Sequence, residues 1–186
     1  MTDESLVRAC QTGDREAFSA LYDRYIKKIY TYVYYKTHHK ETAEDLTAKT
    51  FIKALEHIDS CDPDQRFGAW LYRIARNTVI DHYRTARPAL EIDDAWDIPD
   101  TSDIARDADA RQRLAAVRAE VQALPSVQRD ILMLRLWEGL SYQEIAQIVQ
   151  KSEGHCKVIF SRAIRQLRAA NALAAFLIIL YATHSI

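Results

Sequence analysis

Glycine and proline are scarce in this 186-residue sequence, with only four of each. A β-sandwich or barrel needs frequent tight turns built on such residues, so their scarcity argues against one. A glycine-rich phosphate loop is excluded too, because neither GxGxxG nor GxxxxGK occurs. The three cysteines, Cys10, Cys61 and Cys156, are far apart, odd in number and form no CxxC. They predict small thiols in a reducing, cytoplasmic setting rather than a disulfide framework. His38 and His39 are adjacent, as are His155 and Cys156, and neither pair has ligand spacing, so no metal and no cofactor is expected. No carboxylate pair or Ser/His/Asp set stands out that would support an enzyme. Long hydrophobic runs are missing as well. The most apolar stretch, 172–182, is shorter than the roughly 20 residues of a membrane-spanning helix, and the polar, acidic residues 1–5 predict no signal peptide.

An excess of charge of one sign is also missing: 25 Lys+Arg stand against 26 Asp+Glu, a net charge of −1. As an average, that argues against nucleic-acid binding. The average hides segregation. Residues 1–87 carry 14 basic and 13 acidic groups, and residues 88–113 carry 3 and 8. Residues 114–170 carry 8 basic and 5 acidic groups, and 171–186 carry none. The acidic stretch holds two prolines and little periodicity, so it reads as a flexible linker. The chain is therefore expected to be all-α. Two small helical domains, 4–87 and 113–170, are joined by the linker 88–112, and an apolar helical extension, 171–186, follows.

The first domain reads as four helices. One covers about 4–11, and a second starts after Asp14, a plausible N-cap, with Phe18, Leu21, Tyr22, Tyr25, Ile29, Tyr32 and Val33 at helical spacing. A third covers about 41–58 with Leu46, Phe51, Ala54 and Leu55 inward; a polar loop, 59–65, precedes a fourth at about 66–85. The second domain reads as a helix at about 111–123, a helix from Pro125 to about Glu138, and a short helix capped by Ser141 with Glu144 three residues on. A turn at Gln150-Lys151 and a long helix capped by Ser152 complete it.

Two constellations point to nucleic acid. Helix, turn, short helix, tight turn, long helix is the helix-turn-helix pattern, whose last helix enters the DNA major groove. Here its first residues are Ser152, Glu153, His155, Cys156, Lys157, Ile159 and Ser161, with Arg162, Arg165 and Arg168 beyond. A plain helical hairpin with a solvated basic face would show the same pattern. The fourth helix interleaves Trp70, Tyr72, His82 and Tyr83 with Arg73, Arg76, Arg84 and Arg87, and adds the amide of Asn77. Aromatic faces stack on unpaired bases while cations hold the backbone, so this suits single-stranded DNA. An amphipathic core helix is the alternative, with Trp70, Leu71, Ile74 and Ile80 inside.

These residues resemble a known family. FGAWLYRIARNTVIDHYR (67–84) resembles the promoter-melting segment of bacterial RNA polymerase sigma factors, in particular the extracytoplasmic-function group of the sigma-70 family. AEDLTAKTFIKALEHID (43–59) resembles the preceding polymerase-binding segment, and residues 124–168 resemble the family's C-terminal domain. The likeness covers about residues 4–170. It implies a factor that binds core RNA polymerase, at the clamp of the largest subunit and the flap of the second-largest, and directs it to promoter DNA. It also implies an anti-sigma factor as a partner. By position, Asp45, Leu46, Phe51 and Lys53 fall on the polymerase-binding helix. Ser60, Cys61, Asp62, Arg66, Trp70, Tyr72, Arg73, Arg76, Asn77 and Arg84 fall where the family recognises and melts the −10 element. Ser152, Glu153, His155, Lys157 and Arg162 fall where it reads the −35 element. The competing expectation is a helix-turn-helix regulator that never joins polymerase, although such a protein has no need of segment 67–87.

The chain departs from the family pattern in four places. Ala48-Lys49 replace the usual Gln-Glu, and Gln150-Lys151 replace Gly and an apolar residue in the helix-turn-helix turn. His155-Cys156-Lys157-Val158-Ile159 replaces a run with a second basic group. The uncharged tail 171–186 extends beyond the usual end of relatives. It is expected to pack against the protein's own domains, restraining the free factor, or to meet a partner, in preference to a membrane.

Overall fold

The computed structural model describes residues 1–86, 119–121 and 123–169. The linker, the tail and most of the helix expected at 111–123 lie outside the described residues. The chain divides into two compact units, Met1–Ala95 and Trp96–Ile186. Among the described residues there are seven α-helices, one 3-10 turn and no strand.

The first unit opens with α1 (Asp3–Gln11), capped by Thr2, whose Oγ1 accepts from Ser5 N. Thr12 and Gly13, the latter at φ +94°, turn the chain into α2 (Arg15–Thr37). The Asp14 carboxylate accepts from the N–H groups of Glu16 and Ala17, so the expected N-cap is present. α2 ends at His38, which takes the left-handed conformation at φ 50°. His39 then caps α3 (Lys40–Glu56) through Nδ1, which accepts from Thr42 N. A 3-10 turn (Ile58–Ser60) and a loop lead to α4 (Phe67–Ala86). Leu21, Ile29, Val33, Ala54, Leu71 and Ala75 are fully buried, and α2 packs on α1, α3 and α4.

α3 corrects one expectation. Leu55 was expected inward, but it is 51% exposed, and neighbouring Ile52 is 56% exposed. The buried side of α3 comprises Ala43, Leu46, Thr47, Thr50, Phe51 and Ala54. At 3.6 residues per turn, position 55 lies just beyond the edge of that arc.

The loop before α4 is anchored from α1. Gln11 Nε2 donates to the carbonyls of Ile58 (3.1 Å) and Cys61 (2.7 Å). Arg8 pairs with Asp64 at 2.5 Å. Within the loop, Asp62 accepts from Asp64 N and from Gln65 Nε2, both at 3.0 Å. Ser60 Oγ donates to His57 O at 2.7 Å. Cys61 itself is buried. Its thiol is pushed up to about 11, first by burial and then by the Asp62 carboxylate, against an opposing pull from Arg73.

Among its described residues the second unit packs α5 (Ser126–Leu136), α6 (Tyr142–Val149) and α7 (Glu153–Ala169) together. Pro125 precedes α5, and Gly139 at φ +62° follows it. The capping box of α6 is complete: Glu144 N donates to Ser141 Oγ at 3.2 Å, and Ser141 N to the Glu144 carboxylate at 2.6 Å. Gln150 ends α6 in the left-handed region at φ 56°, ψ 49°. A glycine would sit there more cheaply, by about 1 kcal/mol. Ser152 Oγ accepts from His155 N and starts α7. Ile131, Leu132, Leu134, Leu140, Ile145, Cys156, Ala163 and Leu167 form the core.

Two measurements follow from this packing. Leu21→Ala removes a fully buried side chain and is expected to cost about 2–5 kcal/mol. Leu55→Ala, at an exposed position, is expected to stay within about 0.5 kcal/mol in the same denaturant titration. Cys61 gives a pH signature. The folded thiol holds its proton to about 11 while an ordinary thiol releases it near 9.0. The folded state therefore binds more protons in that window, and stability should fall as pH rises through it. The decline should be shallower in Cys61→Ala, and iodoacetamide should label Cys61 at least tenfold faster in the urea-unfolded chain at pH 8.

Candidate nucleic-acid interface

α4 sorts its side chains by rotation about the helix axis. Arg66, just before the helix, and Trp70, Arg73, Asn77, Ile80 and Arg84 recur at three- and four-residue spacing and so share one face. Arg66, Asn77 and Arg84 on it are exposed, and Trp70 and Arg73 are half-buried. Trp70 leans on Phe67 with ring centroids 5.7 Å apart. Arg84 is held by Asp81 at 3.0 Å. Arg76 sits at the flank of the same face, half-buried. The helix thus presents an amide, an indole edge and several guanidinium groups on one side. That combination can stack on an unpaired base and neutralise its backbone.

Tyr72 is a correction. It was placed with this surface, but it is 1% exposed and meets Tyr32 edge-on at 5.2 Å. Two residues from Trp70 is about 200° of rotation, which carries Tyr72 to the inner side of α4. Cys61, buried under the loop, likewise presents no side chain to a ligand, whereas Ser60 and Asp62 are exposed.

α3 presents a second surface. Leu46 and Phe51, read both as inward residues of this helix and as members of the polymerase-binding set, are buried as the inward reading expects, Phe51 against Tyr22 at 4.7 Å. Their burial removes them from direct contact and leaves them to set the helix in place. The outward strip is made of Asp45, Ala48, Lys49, Ile52 and Leu55. Asp45 and Lys49 pair at 2.6 Å, and Lys53 lies 3.9 Å from Asp81 of α4. A shallow groove of about 440 Å³ between α3 and α4 is lined by Leu46, Lys49, Lys53, Thr78, Asp81, His82 and Thr85.

The third surface is the start of α7. Ser152, Glu153, His155, Lys157, Ser161, Arg162, Arg165 and Arg168 are exposed. Cys156 and Ile159, which the sequence grouped with them, are buried at 0% and 8% exposure and face α5 and α6. Lys157 pairs with Glu153 at 2.6 Å. Around it stand residues that sequence reasoning passed over: Tyr142 of α6 and Arg135 of α5, packed ring to guanidinium at 4.9 Å. Arg8 and Gln11 were passed over too. No periodic or motif signal marks them, because their roles are contacts between distant segments. Among the described residues no group of three or more His, Cys, Asp and Glu could hold a metal ion, and no helix is long and apolar enough to cross a membrane.

Residues 21–88 match the family model Sigma-70 region 2, and residues 114–167 match Sigma-70, region 4. The first match takes in all of α4, and the second takes in α5, α6 and all but the end of α7. The chain is 39% identical over 167 residues to the ECF RNA polymerase sigma factor BldN of Streptomyces coelicolor, covering 87% of this chain and 63% of that protein. The chain therefore spans less than two thirds of that relative's length. It is 33% identical to the RNA polymerase sigma-H factor of Pseudomonas aeruginosa, covering 87% of this chain and 89% of the relative. It is also 33% identical to the ECF RNA polymerase sigma-E factor of Haemophilus influenzae, covering 88% and 92%. Among solved structures, CnrH in complex with the cytosolic domain of CnrY matches with a TM-score of 0.67 and 25% identity, covering 90% of this chain and 95% of that one. The sigma factor RpoE of Bartonella quintana, solved with the anti-sigma factor NepR, shares the fold with a TM-score of 0.65 at 21% identity, covering 82% and 95%. A helix-turn-helix regulator that works apart from polymerase would account for the second match but not for the first. With both regions in order and close relatives across nearly their full length, the chain belongs to the extracytoplasmic-function RNA polymerase sigma factors of the sigma-70 family.

Proposed function

We propose that this chain binds core RNA polymerase, directs it to a specific set of promoters and promotes opening of the duplex there. The observation that carries this is the presence of two helices with unlike outward faces. α4 combines Trp70, Arg73, Asn77 and Arg84 on one face, which suits unpaired DNA; α7 is the second helix of a short-turn helix-turn-helix, which suits the major groove of a duplex. A regulator of duplex DNA alone needs only the second.

The domain assignment follows. Residues 4–87 engage polymerase and the −10 element, 88–112 link, and 113–170 read the −35 element and touch the flap. Docking on the polymerase clamp uses the outer strip of α3: Asp45, Lys49, Ile52 and Leu55, with Lys53 at its border. Leu46 and Phe51 hold that strip in place from below. Ser60, Asp62 and Arg66 with Asn77 line the place where a flipped −10 base is received. Flipping costs a few kcal/mol of stacking, which hydrogen bonds in a shaped pocket must offset. A loop already held by Gln11 and Arg8 loses less entropy in making that pocket. At the −35 element, Lys157 and Arg162 meet DNA, with Ser152, Glu153 and His155 beside them. The protein is a cytoplasmic regulatory subunit rather than an enzyme. An anti-sigma factor is its natural antagonist, a reading in line with the similar folds of RpoE, solved with the anti-sigma factor NepR, and CnrH, solved with the cytosolic domain of CnrY.

Run-off transcription with purified core polymerase on a genomic fragment library tests the whole reading: discrete transcripts that need this chain support it, and none sinks it. Asn77→Ala should lower promoter opening, read by permanganate reactivity, by about tenfold while core-polymerase affinity changes less than twofold. Equal losses in both would show that Asn77 supports the fold or the docking surface. Lys157→Ala should weaken duplex binding and flatten the log–log salt dependence by about one unit. An unchanged slope would mean that Lys157 touches no phosphate.

A further inference from the structure

The first turn of α7 carries a charge arrangement that promoter reading by cations alone does not explain. Lys157 Nζ lies 2.6 Å from a Glu153 carboxylate oxygen and 5.8 Å from the centroid of the Tyr142 ring. Arg135 packs on the same ring, its guanidinium carbon 4.9 Å from the centroid, while it donates to Leu140 O at 2.8 Å. Phe160 of α7 meets Tyr142 edge-on at 5.8 Å and keeps the ring between the two cations. The neighbouring acid Glu144 is committed to the capping box through Ser141 N. Glu153 is therefore the carboxylate that balances Lys157.

That pair is built to be exchanged. Its side chains are 48% and 54% exposed, so water screens it and it is weakly held. An arriving duplex offers Lys157 a phosphate, which carries a full charge and several acceptor oxygens. The exchange strands Glu153. An ionised carboxylate only accepts hydrogen bonds, and it is repelled by phosphate. In the major groove it finds a donor only at an amino group, cytosine N4 or adenine N6, while guanine O6 and N7 and thymine O4 face it with lone pairs.

We propose that Glu153 is a specificity-determining residue of this factor. In the free protein it neutralises Lys157 over the Tyr142 ring. On DNA it gives Lys157 up and favours promoters that place a cytosine or adenine amino group opposite the first turn of α7. The inference rests on the −35 reading proposed above and sharpens it to one side chain and one class of base edge. It also assigns the chain a cost for binding unsuited duplex, because a guanine or thymine at that place leaves a carboxylate facing acceptors.

The test uses the full chain assembled with core polymerase and a promoter library randomised through the upstream element. Wild type should select cytosine or adenine at one upstream position. Glu153→Ala should lose about tenfold discrimination at that position alone. It should also bind the unselected library more tightly, with a steeper salt dependence. Glu153→Gln, whose amide both donates and accepts, should relax the same position without altering the others. If Glu153→Ala keeps the wild-type base preference at every position, the proposal is overturned and the −35 reading stands. If wild type selects no upstream sequence at all, that reading falls and the proposal with it.

Discussion

The rotation of α4 about its own axis is the constraint on which the candidate −10 surface depends. Two aromatic contacts fix it. Phe67 meets Tyr25 edge-on at 5.3 Å, and Tyr72 meets Tyr32 edge-on at 5.2 Å, so α4 is pinned to α2 at two points of its first half. Between them stands Gly68, where a Cβ would come within 3.1 Å of the Tyr25 ring. A side chain at this position would press on that ring, so Gly68 lets α4 lie close to α2 here. Tyr25 is tied in turn, its hydroxyl donating to the Asp3 carboxylate, and burial together with that carboxylate raises its pKa. With Tyr72 inward, the Trp70–Arg73–Asn77 face must point outward. A polar, cationic surface is thereby held by apolar contacts on the opposite side of the same helix.

Electrostatics in the free protein has a common design. Four cations, spread over the three candidate surfaces, are each met by a carboxylate of the same chain: Lys49 by Asp45, Arg84 and Lys53 by Asp81, and Lys157 by Glu153. Pairs this exposed contribute little to stability, about 0.2–1 kcal/mol each. Their effect is on partner choice. Every one must be opened or tolerated before an external anion is bound, which lowers affinity for DNA in general more than for a site that compensates the freed acid. A net charge of −1 is then compatible with DNA binding, since it is the sum of surfaces balanced locally.

Much of this was legible in the sequence, and the failures have a shared cause. The order of the described helices, the Asp14 cap, the Ser141–Glu144 box and the turn at Gln150 all follow from local chemistry, and the structure has each of them. What local chemistry leaves open is which flank of a helix is covered. Leu55, Tyr72, Cys156 and Ile159 were each assigned to the wrong side or grouped with the wrong neighbours, and each lies within one or two residues of a correctly assigned position. One residue is 100° of rotation, so an edge residue changes sides on a detail of tertiary packing. The anchoring of the 58–64 loop by Arg8 and Gln11 was invisible for a different reason. It joins segments about 50 residues apart through polar groups, and no periodicity encodes such a pair.

The turn between α6 and α7 shows how these levels combine. Gln150 takes a left-handed conformation that favours glycine, and its N–H and that of Lys151 both reach Ala146 O. Those bonds close the end of α6, while Ser152 caps the start of α7 two residues later. The strain is local and small, about 1 kcal/mol. Burial of Ile148 and Val149 on one side and Cys156 and Ile159 on the other over-determines the turn. The side chain in this turn is thus accommodated between two packed helix ends. The departure at Gln150 is absorbed by packing. Those at His155 and Val158, which stand exposed on the outer face of α7, are not, and it is there that this factor's promoter preference should differ from that of its relatives.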